Sequence, residues 1–253
     1  MPWVIKYGGS AMTDPTLRPR IAIEIRELAD RGERPVVVHG GGPFIGRALD
    51  RAGVEHSFIR GLRVTPPKGM EVVEAVLTQL GKILAQEIGN ALGLTGRDAG
   101  LLVAERFDEE LGEVGRMRSV NKDAITTILD SGFTPVLACL AIAPDGSLLN
   151  VNGDEVTGAV AGALRSPVIF LTDVPGVLEE PADPSSLIAH ITLEEIESRI
   201  ADGRISGGMI PKVEAATSAL LQGAPSAMIV DGRYAGVLGN VQRGAAGTKV
   251  TLS

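Results

Sequence analysis

Short apolar runs alternate with longer segments of helical periodicity along the chain, and few folds accept that pattern other than parallel strands joined by helical crossovers. Trp3 to Tyr7 reads as a first strand, and residues 18–30 as a helix with Ile21, Ile25 and Leu28 on one face. Residues 35–39 follow as a strand, and Pro43 suits the first turn of the next helix. A long helical pattern covers 68–92, a charged hairpin 101–119, a strand 134–139 and a small-residue helix 156–164. The alternation then restarts with a strand at 168–171 and a helix at 192–201, opened by Thr192 and Glu195 as a capping box. A helix at 209–221 and strands at 227–230 and 248–252 complete it. The expected fold class is α/β: a three-layer αβα sandwich with a mainly parallel central sheet. Its two lobes would be 1–165 and 166–253, divided near Arg165-Ser166-Pro167.

Glycine is the compositional outlier, 32 of 253 residues, roughly twice the usual share of about 7%. Such a chain needs tight turns or close backbone approach. A net charge of -7 and only 3% aromatic residues argue against a nucleic-acid groove, which wants a basic stripe and stacking rings. The single cysteine, Cys139, excludes an internal disulfide and lies in an apolar run, as a buried structural thiol would. No apolar stretch approaches the roughly 20 residues needed to span a bilayer, and the first residues are no signal peptide, so a cytoplasmic protein is expected.

Two glycine clusters each follow a strand and precede a helix: Gly8-Gly9-Ser10 and Gly40-Gly41-Gly42. Successive N–H groups in such turns converge on an anion, and the following helix N-terminus adds positive potential. The same turns also serve purely steric ends. The Walker pattern is missing, and Ile45 stands where a dinucleotide fingerprint wants its last glycine. Lys6 adjoins the first glycine turn, and Lys212 a third, Ser206-Gly207-Gly208-Met209. A phosphate would partner both ammonium groups; snorkelling surface lysines are the plainer reading. Asn150-Val151-Asn152-Gly153-Asp154 is either a capped helix start or the place where Asp154 orients the lysines. His39, His56 and His190 show no metal-ligand spacing, and no general base is conspicuous. A carboxylate acceptor needs none, since an ionised carboxylate attacks phosphorus without losing a proton.

Six ordered motifs carry a family resemblance: Val4 to Met12, Val37 to Pro43, Gly61 to Thr65, Asn150 to Asp154, Leu171 to Val177 and Gly207 to Glu214. Together they resemble the acetylglutamate kinases of the amino-acid-kinase superfamily over essentially the whole chain. The resemblance implies the amino-acid-kinase fold, with the acceptor and dimer contact in the N-terminal lobe and ATP in the C-terminal one. It implies phosphorylation of the side-chain carboxylate of N-acetyl-L-glutamate in arginine biosynthesis, with Mg²⁺ bound mainly through the ATP phosphates. Lys6 and Lys212 would stabilise the transferring phosphoryl group, with Asp154 holding both. Gly9, Gly41 and Gly42 would offer N–H groups to it, Arg63 would pair with the acceptor's α-carboxylate, and Asn150 would hydrogen-bond the same molecule. Thr172, Asp173, Gly176, Gly207 and Met209 would line the ATP site. A homodimer without arginine feedback is expected, because arginine-inhibited relatives carry an N-terminal helix ahead of the first strand.

This sequence departs from the family pattern at Leu84-Ala85, where Asn-Lys is usual, at Gly153, where alanine is usual, and at Pro66-Pro67, where an acidic residue is common. Three rivals stand beside the leading reading. One is the related kinase of carrier-linked α-aminoadipate, another a UMP kinase of the same fold, and the third a nucleotide-binding protein without turnover. An intact Gly-Leu-Arg-Val-Thr around Arg63 favours the free amino-acid substrate, as the resemblance implies, and both lysines with Asp154 favour an enzyme.

Overall fold

The computed structural model describes residues 2–8, 10–180 and 182–253. They build an eight-stranded sheet whose central strands are Pro2–Tyr7 and Val168–Thr172. Beside the first lie Arg34–His39, Thr134–Ala138 and Ala91–Leu94; beside the second lie Ala227–Asp231, Thr248–Thr251 and His190–Thr192. Only the pairing of Ala227–Asp231 with Thr248–Thr251 is antiparallel. The strand order thus runs outward in both directions from the two central strands, which places the topological switch point between them.

Burial on both faces explains the unbroken β-branched runs. Val36 and Val38 belong to one hydrophobic cluster, with Val4, Val168 and Phe170; Val37 points the other way, with Ile5, Ile169 and Leu171. Helices Gly153–Leu164 and Ile210–Leu221 cover the first face, and Leu17–Asp30, Gly42–Ala52 and Pro67–Ile88 the second. The expected αβα sandwich is therefore present.

Two differences from the periodicity reading have physical causes. The long helix stops at Ile88, not near residue 92, because Gly89 takes φ +107 and residues 91–94 pair as a strand. Ala91 and Leu92 fit either period, so the pattern alone did not separate them. The helix Lys122–Asp130 also escaped the pattern reading, although Asn121 caps it by accepting from the Ala124 N–H. The charged hairpin forms as Leu102–Arg106 and Val114–Val120, and it closes into a small four-stranded barrel with Leu140–Ile142 and Leu148–Val151. Gly93 lets the long helix pass across its strand: a Cβ there would lie 2.6 Å from the Gly81 carbonyl. Leu84 and Ala85 are buried in the second core cluster, so that departure from the family pattern is a change in helix packing. Among the described residues, no helix is long and apolar enough to cross a membrane.

A buried carboxylate ties the sequence ends together. Glu24, on helix Leu17–Asp30, accepts from the Gly236 and Leu238 N–H groups at 2.7 and 3.0 Å, fixing the entry of helix Val237–Gln242. Hydrogen bonds to a charged acceptor are the stronger kind, and removing the acceptor leaves enclosed donors unpaired. Glu24→Ala is expected to cost on the order of 3 kcal/mol in urea unfolding, and Glu24→Gln less. Equal stability of Glu24→Ala and the parent would show that these bonds add nothing net.

Candidate active site

The carboxyl ends of the two central strands carry the chemistry. Lys6 lies opposite Phe170 in the parallel register, so the end of one strand adjoins the turn that begins at Thr172 and Asp173 on the other. Lys6 Nζ meets Asp154 Oδ1 at 3.0 Å. Asp154 occupies the first turn of helix Gly153–Leu164, and Asn152 caps that helix by accepting from the Asp154 and Glu155 N–H groups. Asn152 is thus the helix cap of one reading, and Asp154 faces Lys6, one of the two lysines of the other. The Asp154 oxygen takes no aligned hydrogen bond, so its contact with Lys6 is an ion pair.

Lys212 opens the opposite side. Its ammonium sits 3.2 Å from Asp173 Oδ1 and donates to the Gly208 carbonyl at 3.2 Å. Among the described residues Asp154 pairs with Lys6, while Lys212, on its helix, pairs with Asp173 just beyond strand Val168–Thr172, where one aspartate shared by both lysines was expected. Burial pushes the Asp173 carboxyl up, but the Lys212 hydrogen bond and the Lys212 and Arg233 charges outweigh it, leaving the group below its ordinary range. Arg233, which the sequence reading passed over, donates to the Asp173 carbonyl and to the buried Asp231 carboxylate, bracing this turn.

A cavity of about 270 Å³ lies on the Lys6 side, lined by Gly40, Gly41, Gly42, Arg63, Asn150 and Gly153, among others. Helix Gly42–Ala52 starts at its rim with Pro43 in the first turn, so unpaired N–H groups and the positive helix end face an incoming anion. Arg63 donates to the Gly42 carbonyl and to His56 Nδ1, and its guanidinium stacks 4.7 Å from the Phe58 ring. Burial pulls Arg63 below its ordinary value, opposed by the Asp50 charge. Asn150 donates to the buried Thr65 hydroxyl, which orients its amide. A broader hollow of about 830 Å³ lies against Asp50, Glu55, His56 and Pro66. The smaller cavity is the stronger candidate, because it holds the Gly40–Gly42 turn, Arg63 and Asn150, and its lining residue Gly153 adjoins Lys6: a Cβ there would lie 4.0 Å from Lys6 Cε.

On the Lys212 side a cavity of about 500 Å³ is lined by Asp173 to Leu178, Arg204 to Ser206, Gly208, Met209 and Lys212. Asp173, Gly176 and Met209 are among its lining residues. Thr172 instead turns its hydroxyl onto the Val174 and Val230 carbonyls, and Gly207 shapes the adjoining turn with φ +55; neither lines the cavity. Gly9 lies outside the described residues.

Cys139 is buried, donates to the His39 carbonyl at 3.0 Å, and is pushed up to about 12 by burial, the Lys6 charge opposing. A Cβ on Gly153 would come within 3.3 Å of its sulfur. Glycine in place of the family's usual alanine thus avoids a tight contact with the thiol.

The amino acid kinase family matches residues 1–231. An acetylglutamate kinase of Deinococcus radiodurans is 53% identical over 248 residues, which span 98% of this chain and 99% of that protein. One from Thermoanaerobacter sp. (strain X514) is 43% identical over 91% of this chain and 80% of its own length. Among solved structures, a carbamate kinase from Giardia lamblia bound to AMP-PNP superposes with a TM-score of 0.71 at 19% identity, covering 100% of this chain and 98% of the other. That last likeness concerns the fold alone.

His39 generates a pH prediction. Its ring is fully buried at the strand end, with Nδ1 3.0 Å from the Gly40 carbonyl and Nε2 without a partner. Burial pulls it down to about 4, the Gly40 bond opposing. An unfolded chain would take up that proton near 6.5, so stability is full above about 6.5 and declines as pH falls toward about 4. The loss is on the order of 3 kcal/mol. Urea midpoints across that window should fall in the parent and flatten in His39→Asn, whose amide still reaches Gly40; parallel profiles would clear His39 of the effect.

Proposed function

The chain belongs to the amino acid kinase family, and from that membership we propose that it transfers the γ-phosphoryl group of ATP to the side-chain carboxylate of N-acetyl-L-glutamate. It is an acetylglutamate kinase in activity, acting on small molecules and serving arginine biosynthesis. One observation carries this reading: two lysines, each held by its own aspartate, flank the switch point of a parallel sheet, with a cavity on either side. Ligands of open α/β sheets bind at such a crevice.

In the proposed reaction an oxygen of the ionised acceptor carboxylate forms a bond to the γ-phosphorus. The bond to the β,γ-bridging oxygen breaks, and ADP leaves with that electron pair. No proton must move, so the protein's task is alignment and charge neutralisation. Lys6 and Lys212 offset negative charge on the transferring group, with Asp154 and Asp173 orienting their ammonium ions. N–H groups of Gly9, Gly41 and Gly42 would point at the same oxygens. Arg63 anchors the acceptor's α-carboxylate with the planar fork that suits it, and Asn150 holds the same molecule. The turn from Thr172 to Gly176 and the Gly207 to Met209 turn support the nucleotide. Mg²⁺ would neutralise the ATP phosphates. It would be held mainly through phosphate oxygens.

The two halves divide the labour in this proposal: residues 1–165 bind the acceptor and form a homodimer, residues 166–253 bind ATP, and the site of action is the cytoplasm. Light scattering should give twice the chain mass of 26.3 kDa; a lone protomer would overturn the dimer.

The function is tested by trapping the acyl phosphate with hydroxylamine across a panel of acceptors. Strong product from N-acetylglutamate is expected, and product from carrier-linked α-aminoadipate or UMP alone would defeat the reading. Lys6→Ala and Lys212→Ala should each lower kcat by roughly 10² to 10³ with smaller changes in KM, as loss of a transition-state contact does. Arg63→Ala should mainly raise the acceptor KM. Small, equal effects from all three would contradict the roles.

A further inference from the structure

We propose that His56 is a positioning residue that aims Arg63 at the acceptor through a relay from Asp50. The inference rests on Arg63 as the acceptor anchor and identifies what holds that anchor still. Arg63 donates from one terminal nitrogen to His56 Nδ1 at 2.8 Å, and His56 Nε2 lies 3.1 Å from Asp50 Oδ1. A guanidinium has donors only, so Nδ1 must carry a lone pair; the ring's single proton then sits on Nε2 and goes to the carboxylate. Both contacts agree on one tautomer of a neutral imidazole. An ordinary surface His–Asp pair would place no such demand on the second nitrogen, and exposed pairs contribute little.

The relay has a geometric purpose. Asp50 stands in the last turn of helix Gly42–Ala52, whose first residue offers its carbonyl to the other terminal nitrogen of Arg63 at 3.1 Å. The guanidinium is therefore braced from both ends of one helix, and the start of that helix rims the cavity where the phosphoryl group would sit. Two of its five N–H groups are committed to these contacts, which leaves three for a carboxylate. The half-buried His56 bridges the mostly exposed Asp50 to the guanidinium by hydrogen bonds on both ring nitrogens.

Three substitutions and one spectrum test the relay. An asparagine at 56 can set its carbonyl oxygen near the Nδ1 position, whereas a glutamine reaches the Nε2 position instead. His56→Ala and His56→Gln are expected to raise the acceptor KM about tenfold, with kcat and the KM for ATP changed less than about twofold, and His56→Asn to recover most of the loss. An unchanged acceptor KM in His56→Ala, equal losses in all three variants, or a fall in kcat alone would overturn the proposal. The chain has only three histidines, so ¹⁵N imidazole spectra can be assigned by substitution. His56 should show a protonated Nε2 and a bare Nδ1; an Nδ1–H or cationic ring overturns the relay. A parent enzyme that never phosphorylates N-acetylglutamate would defeat the functional reading instead, and the ring tautomer would then decide the relay by itself.

Discussion

An ammonium group at the end of a buried parallel strand is tolerable only beside negative charge, and the whole site is arranged around that constraint. Lys6 follows Val4 and Ile5, both without solvent contact, and Lys212 opens a helix packed on the same sheet. Each ammonium has a carboxylate at about 3 Å. Asp154 is available to Lys6 only because Asn152 caps the helix start and sets its first turn. Asp173 is available to Lys212 because Thr172 and Arg233 hold the turn beyond its strand. The sheet's order reverses between strands Pro2–Tyr7 and Val168–Thr172, and a cavity lies on either side of the charges gathered there.

Much of the fold was legible because both-face burial writes itself into the sequence as unbroken valine and isoleucine runs, and single-face burial as helical periodicity. Val36-Val37-Val38 and Val168-Ile169-Phe170 read as strands, and their alternate side chains enter the two opposite core clusters. Legibility failed where the local code is degenerate. Ala91 and Leu92 continue a helical period and also begin a strand, and only the positive φ of Gly89 separates them. Leu140–Ile142 and Leu148–Val151 form a local hairpin across Pro144-Asp145-Gly146, a turn signal left unused, and close a barrel through distant pairings with residues 103 and 114–115 that no local pattern announces.

The site was legible in kind more than in connection. Glycine turns beside lysines pointed to the sheet edge where Lys6 and Lys212 meet their aspartates, and Arg63, Asn150, Gly41 and Gly42 line one cavity. The lysine partners were not readable, since which aspartate meets which ammonium depends on how two strands and two helices pack. His56 carried no signal in a single sequence. It is one polar residue in an irregular stretch, and only the folded hairpin of residues 58–63 brings Arg63 back against it.

Cys139 shows how the setting of one atom limits what can reach it. Sulfur chemistry with peroxide or disulfide begins from the thiolate. A thiol pushed up to about 12 has almost none of that form near neutrality. Packed against Gly153 and donating to the His39 carbonyl, the same sulfur is also screened from collision. Cys139 thus sits in the wall of the cavity beside the Gly40–Gly42 turn as a poor target for peroxide or disulfide chemistry.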